Sequence, residues 1–196
     1  MMKVPLLLPS QMSLSSAKLT RTLAIFVSVL AVLISASNSY ANTKVPLKDF
    51  CRQIAGQWQG SAASPNAEPK QVDTQVICSS DAKQLIFSVS SSSRFNTSET
   101  WWFKQKFQAI ELDYSNGIDT EVRQIFTLYQ RPERYTFVGK GEVNQRPALI
   151  QLMFIKQGTA QDSWLWQQSA HYLDDDSDSY KVIRTIELLP KLKPKP

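Results

Sequence analysis

Residues that carry chemistry are scarce in this chain of 196: it has one histidine, two cysteines and six glycines. With His171 as the only base of its kind and no nucleophile motif beside it, Ser-His-Asp chemistry has nothing to build on. Cys51 and Cys78 stand outside any CxxC spacing, so a zinc site lacks its donors. Six glycines leave little material for a phosphate-cradling loop, and none is present. The expectation is a protein that is not an enzyme and carries no metal or cofactor. A one-sided charge is also missing. The formal net charge of +5 belongs to the ends: the first 41 residues hold Lys3, Lys18 and Arg21 and no acid, and Lys191, Lys193 and Lys195 fall in the last six positions. The stretch between them holds 16 basic and 17 acidic groups, which excludes a clustered basic face for nucleic acid.

The chain does contain one long apolar run. Leu23 to Ala36 carries no charge, follows Lys18 and Arg21, and precedes the small-residue signal Ser39-Tyr40-Ala41. That order is the order of a secretory signal peptide over residues 1–41, with cleavage after Ala41 and a mature start at Asn42. As a helix the run would reach only about 21 Å, short of the roughly 30 Å hydrocarbon core of a bilayer. Met12 would open a leader of more ordinary length. The mature protein is therefore expected in the periplasm or secreted, and not spanning the membrane.

Export decides the reading of the cysteines, since an oxidising compartment favours a Cys51–Cys78 disulfide. A loop of about 27 residues closed in this way restricts the unfolded chain by roughly 3.5 kcal/mol in the chain-entropy view.

Pro46 to Ala55 places Leu47, Phe50 and Ile54 at helical spacing, with Pro46 suited to the first turn. After Gly56 the pattern changes to short segments rich in Val, Ile, Thr and aromatics. Strands are expected at Gln57 to Ala62, Gln71 to Ser79, Gln84 to Ser90, Ser98 to Lys104, Ala109 to Tyr114, Glu121 to Gln130, Tyr135 to Val143, Ala148 to Gln157, Ser163 to His171 and Tyr180 to Leu189. Turn residues separate them, as at Ser115-Asn116-Gly117 and Arg131-Pro132-Glu133. An all-β meander of about 8 to 10 strands behind one short helix closes most economically into an up-and-down antiparallel barrel over residues 42–189, because closure removes exposed edges. A β-sandwich is the alternative. The basic tail from Pro190 to Pro196 is expected to be disordered.

Gly56-Gln57-Trp58 follows the short helix directly and opens the first strand, and Arg184 stands in the last one. In these features the chain resembles the lipocalin and fatty-acid-binding superfamily, the calycins. The resemblance implies that Trp58 plugs one end of the barrel and that Arg184 packs across it, a guanidinium over an indole being worth about 0.5–2 kcal/mol.

Aromatic residues are plentiful. Period two sends Trp164 and Trp166 to one face and Leu165, Gln167, Ser169 and His171 to the other. If the tryptophans face inward they meet Trp101, Phe103, Tyr135 and Phe137, and these six are the candidate lining of a pocket for a small apolar or amphipathic molecule. The same rings would otherwise simply fill the core. His171, off the tryptophan face, is expected at a strand end in solvent. Asp174, Asp176 and Asp178 alternate like the first half of a calcium loop, but Ser179 replaces the turn glycine and Thr185 the bidentate glutamate, leaving a solvated hairpin as the default. Glu111 and Asp113 share a strand face opposite Ile110, Leu112 and Tyr114, so they point to water. The sequon at Asn96 matters only in a glycosylating host. Two functions remain in competition: a small-molecule carrier, and a partner-binding envelope protein with a filled barrel that meets another protein or an anionic surface. A cavity of roughly 300 Å³ or more lined by Trp and Phe would favour the carrier.

Overall fold

Alternation of buried and less buried side chains marks most of the strands. In Arg146–Gly158, for example, Ala148, Ile150, Leu152 and Phe154 are buried and their neighbours are not. The computed structural model describes residues 42–91, 98–118, 122–158 and 162–191, all within the unit Tyr40–Pro196. Residues 1–41, expected to be a leader, and those from 192 onward lie outside the described residues, as does Asn96.

The elements run β1 (Thr43–Lys44), α1 (Leu47–Ile54), β2 (Gly56–Ser64), β3 (Ala67–Cys78), β4 (Gln84–Ser91), β5 (Ser98–Lys106), β6 (Ala109–Ser115), β7 (Val122–Arg131), β8 (Arg134–Val143), β9 (Arg146–Gly158), β10 (Asp162–Tyr172) and β11 (Lys181–Pro190). From β2 onward each strand pairs antiparallel with the next, and β11 returns to β2, so ten strands close as an up-and-down barrel. The barrel reading holds and the sandwich does not. All ten expected strands are present, along with the helix. The two-residue β1 was not foreseen, being too short to show a period. It pairs with Gln130 and Tyr129 of β7, the stretch that runs on past the end of β6.

Two boundaries differ from the sequence reading for physical reasons. Asn144 and Gln145 both take positive φ (53° and 63°), the two-residue turn whose twist matches the flanking strands, so β9 begins at Arg146 and contains Pro147. The tail begins later than Pro190. That residue pairs with Trp58, and Lys191 donates its N–H to Gln57 O (3.0 Å) and its ammonium to Asp73 (2.8 Å). A proline at the end of a strand gives up only one donor, which the pairing tolerates.

Closure depends on a glycine. A Cβ on Gly60 would meet the backbone oxygen of Glu187 at 2.0 Å, so only glycine lets β2 and β11 approach this closely.

α1 covers one end of the barrel. Leu47, Phe50, Cys51 and Ile54, spaced along one helix face, are fully buried. Pro46 precedes the helix in an extended conformation rather than entering its first turn. The Cys51–Cys78 disulfide is formed, with Cα atoms 5.6 Å apart, and ties α1 to the end of β3 as expected. No helix among the described residues is long and apolar enough to cross a membrane.

Candidate functional site

The helix end of the lumen is filled. Phe50 enters it from α1 and meets Phe154 (4.6 Å between ring centroids), Tyr135 (5.1 Å), Phe137 (5.5 Å) and Trp164 (6.5 Å). Phe103 packs on Phe137 at 4.8 Å and Trp166 on Trp101 at 5.1 Å. Tyr135 donates its hydroxyl to Asp49 O (3.3 Å) and accepts from Gln53 Nε2 (2.7 Å), and burial pushes that hydroxyl above its ordinary pKa. All six expected lining residues thus point inward and are buried, mostly against one another.

Trp58 sits where the resemblance places it, buried at the helix end, with its indole Nε1 donating to Ile54 O at 2.9 Å. Arg184 does not pack across it. Trp58 lies opposite Pro190, six positions along β11 from Arg184, about 20 Å at strand rise. The expected Trp58–Arg184 pair is therefore corrected: the two residues belong to opposite ends of the barrel. A half-buried guanidinium needs compensation, and at Arg184 other groups supply it.

Arg184 projects into the lumen near the end opposite α1, which we call the mouth. Its Nη1 makes an ion pair with Glu99 Oε2 of β5, and its Nε donates to Gln168 Oε1 of β10 at 2.7 Å. Tyr114 of β6 donates to the same Glu99 oxygen at 3.2 Å. The guanidinium carbon lies 4.9 Å from the ring centroid of Trp101 and 5.6 Å from those of Tyr114 and Trp166. Burial pushes the Tyr114 hydroxyl above its ordinary pKa, with the neighbouring Arg184 pulling the other way. In the barrel β4, β3 and β2 separate β5 from β11, so the ion pair crosses the lumen. Arg184 and Glu99 remain 23% and 34% exposed at their side chains, so water screens the pair and its own worth is about 0.2–1 kcal/mol. The aromatic contacts contribute about 0.5–2 kcal/mol more.

Beside this bridge lies a cavity of about 240 Å³, floored by Trp101, Val72, Val89 and Ile186, with Arg184 and Glu99 on its wall and Glu68 and Lys70 at its rim. Of the six candidate lining residues, Trp101 is the one that borders it. The cavity is smaller than the roughly 300 Å³ that would favour an aromatic-lined carrier outright. Its walls can accept an apolar body and present Arg184 and Glu99 to a polar head.

Glu99, Tyr114 and Gln168 were not singled out from the sequence, although a signal for them existed. Each stands two residues beyond an inward apolar position, namely Trp101, Leu112 and Trp166, so the alternation that places the aromatics inside also places these polar groups inside.

The remaining sequence candidates lie on the outer surface or in loops. His171 is half-buried, with its ring 5.7 Å from Tyr180. Asp174 is held by Arg146 (2.7 Å) and Asp175 by Lys181 (2.6 Å), so protein cations already engage these carboxylates of the acidic run. No group of three or more metal-ligating side chains is assembled among the described residues. Glu111 and Asp113 face outward and share Lys104, which holds both carboxyls below their ordinary pKa. No protein-family model matches the chain, and no curated protein matches it.

Proposed function

We propose that this is an exported, lipocalin-like barrel that binds a small amphipathic molecule at its mouth. The observation that carries the reading is the Arg184–Glu99 bridge held over the Trp101 and Trp166 rings beside an open cavity, in a barrel that is otherwise packed. A structural ion pair across a filled lumen would be enclosed; this one borders empty space. The ligand places its apolar part on Trp101, Val72 and Val89 and its polar head against Arg184. Because Glu99 already faces Arg184, the head either displaces that carboxylate or bonds to both groups. The calycin likeness rests on the short helix, the Gly56-x-Trp58 start and the closed meander, and no longer on an Arg184–Trp58 stack.

Native mass spectrometry of the protein recovered from the cells that make it tests both halves of the reading. The expected result is a mature start at Asn42 and an adduct lost on denaturation. Ala62→Trp, which fills the cavity from β2, is expected to lose the adduct while melting normally. A bare mass in the wild type, or an adduct unaffected in Ala62→Trp, refutes mouth binding. A second reading, a partner-binding protein with a filled barrel, is favoured by the ring-on-ring packing of Phe50, Phe137, Phe154 and Trp164. It predicts the bare mass.

A further inference from the structure

The end of the barrel opposite the mouth carries an aromatic residue in an unusual place. Phe107, in the turn between β5 and β6, is fully exposed and has a φ of 50°, a left-handed conformation that glycine and asparagine occupy at less cost. It packs on nothing that would offset this. On the outer face of β5, Lys106, Lys104 and Trp102 follow it at the period of the strand. Trp102 is exposed and continues a cross-strand apolar row through Ile86 to the exposed Ile77.

Gln105 ties three backbone segments together at this end. Its side-chain oxygen accepts the N–H of Leu47 at the start of α1, its amide nitrogen donates to Phe107 O, and its backbone N–H donates to Lys83 O. The start of α1 and the β3–β4 connection are thereby held beside the Phe107 turn, and Lys83, Lys106 and the Lys48 and Arg52 of α1 belong to these segments. All four are exposed, and none is in an ion pair among the described residues. Asp49 and Asp81 stand among them, and Glu111, paired with Lys104, lies on the next strand near Lys106. The other end has the opposite character, with the Asp174 to Asp178 run in its β10–β11 connection.

We propose that the helix end of the barrel docks on an anionic lipid bilayer, with Phe107 entering the headgroup region and Lys48, Arg52, Lys83 and Lys106 facing the lipid phosphates. Charge complementarity identifies the partner's sign. The shape identifies a bilayer over an acidic protein, because a single protruding ring among flexible lysines needs no matching pocket in a fluid interface but does in a folded surface. Trp102 and Ile77 lie one step up the barrel wall, where an amphipathic ring is suited to the interface.

Vesicle co-sedimentation of the isolated protein tests the proposal, comparing phosphatidylcholine with a mixture containing one part phosphatidylglycerol in about three. The expected result is binding about tenfold tighter to the anionic vesicles, mostly lost at about 0.5 M salt. Phe107→Asn, which suits the left-handed turn and keeps the fold, is expected to weaken binding at least about fivefold, and the pair Lys48→Glu and Lys106→Glu likewise. Asp176→Asn, at the mouth, should leave it unchanged. Equal binding to both vesicle types, or full binding by Phe107→Asn, overturns the proposal. So does binding to soluble polyglutamate as tight as to vesicles, which would point to an acidic macromolecule instead.

Discussion

Replacing Arg184 with methionine keeps an unbranched stem against Trp101 and Trp166 and removes the charge. Three losses follow from the geometry: the cation–π contacts at 4.9 to 5.6 Å, worth about 0.5–2 kcal/mol; the water-screened pair with Glu99, about 0.2–1 kcal/mol; and the hydrogen bond to Gln168, about 0.5–1.5 kcal/mol. Allowing for their overlap, the expected cost is about 2–3 kcal/mol in urea unfolding, or a melting point lower by roughly 4–12 °C at about 2–4 °C per kcal/mol for a domain of this size. Glu99→Gln keeps an acceptor for Tyr114 and should cost about 1 kcal/mol. The double variant should then fall short of the sum by about 0.5–1 kcal/mol, because contacting residues are not additive. Arg184→Met combined with Trp58→Phe should be additive within about 0.5 kcal/mol, the two sites lying about 20 Å apart. Additivity of Arg184 with Glu99, or stronger coupling of Arg184 to Trp58 than to Glu99, would refute the assignment of Arg184 to the mouth.

Other consequences are as direct. Gly60→Ala drives a Cβ into Glu187 O and should cost about 3 kcal/mol or leave the β2–β11 seam open, read as lost melting cooperativity together with fast exchange of the Thr185 and Ile186 amides. Cys51→Ala with Cys78→Ala should lower stability by about 2–4 kcal/mol in denaturant; two titratable thiols in the native wild type would contradict the bond. Glu111 and Asp113 have carboxyl pKa values lowered chiefly by Lys104, so their contribution is whole above the ordinary carboxylate range near pH 4 and is lost as pH falls through the lowered values. Lys104→Met should therefore flatten the acid limb of the stability profile below about pH 4, and an unchanged limb would show that the cluster is not linked to folding.

Local pattern was enough to mark the helix and ten of the eleven strands among the described residues. Val, Ile and aromatics in alternation, broken by pairs such as Pro132-Glu133 and Asn144-Gln145, mark ten strands without reference to any neighbour, and Leu47, Phe50 and Ile54 mark the helix. The same period put Trp164 and Trp166 on one strand face and Glu111 and Asp113 on the face opposite Ile110 and Leu112, and two cysteines behind an expected export signal implied a bond that the barrel brings within reach. The tertiary structure alone decided who meets whom across the lumen. Glu99 and Arg184 are 85 residues apart in the chain, and their meeting depends on strand number, stagger and the close β2–β11 approach at Gly60, none of which has a local signature. For the same reason Phe50 fills the space among rings expected to line a pocket, and Trp58 and Arg184, expected to pack on each other, face opposite ends. A period of two assigns a side chain to the inside of a barrel but not to a height within it, and that height separates a packed core from a binding mouth.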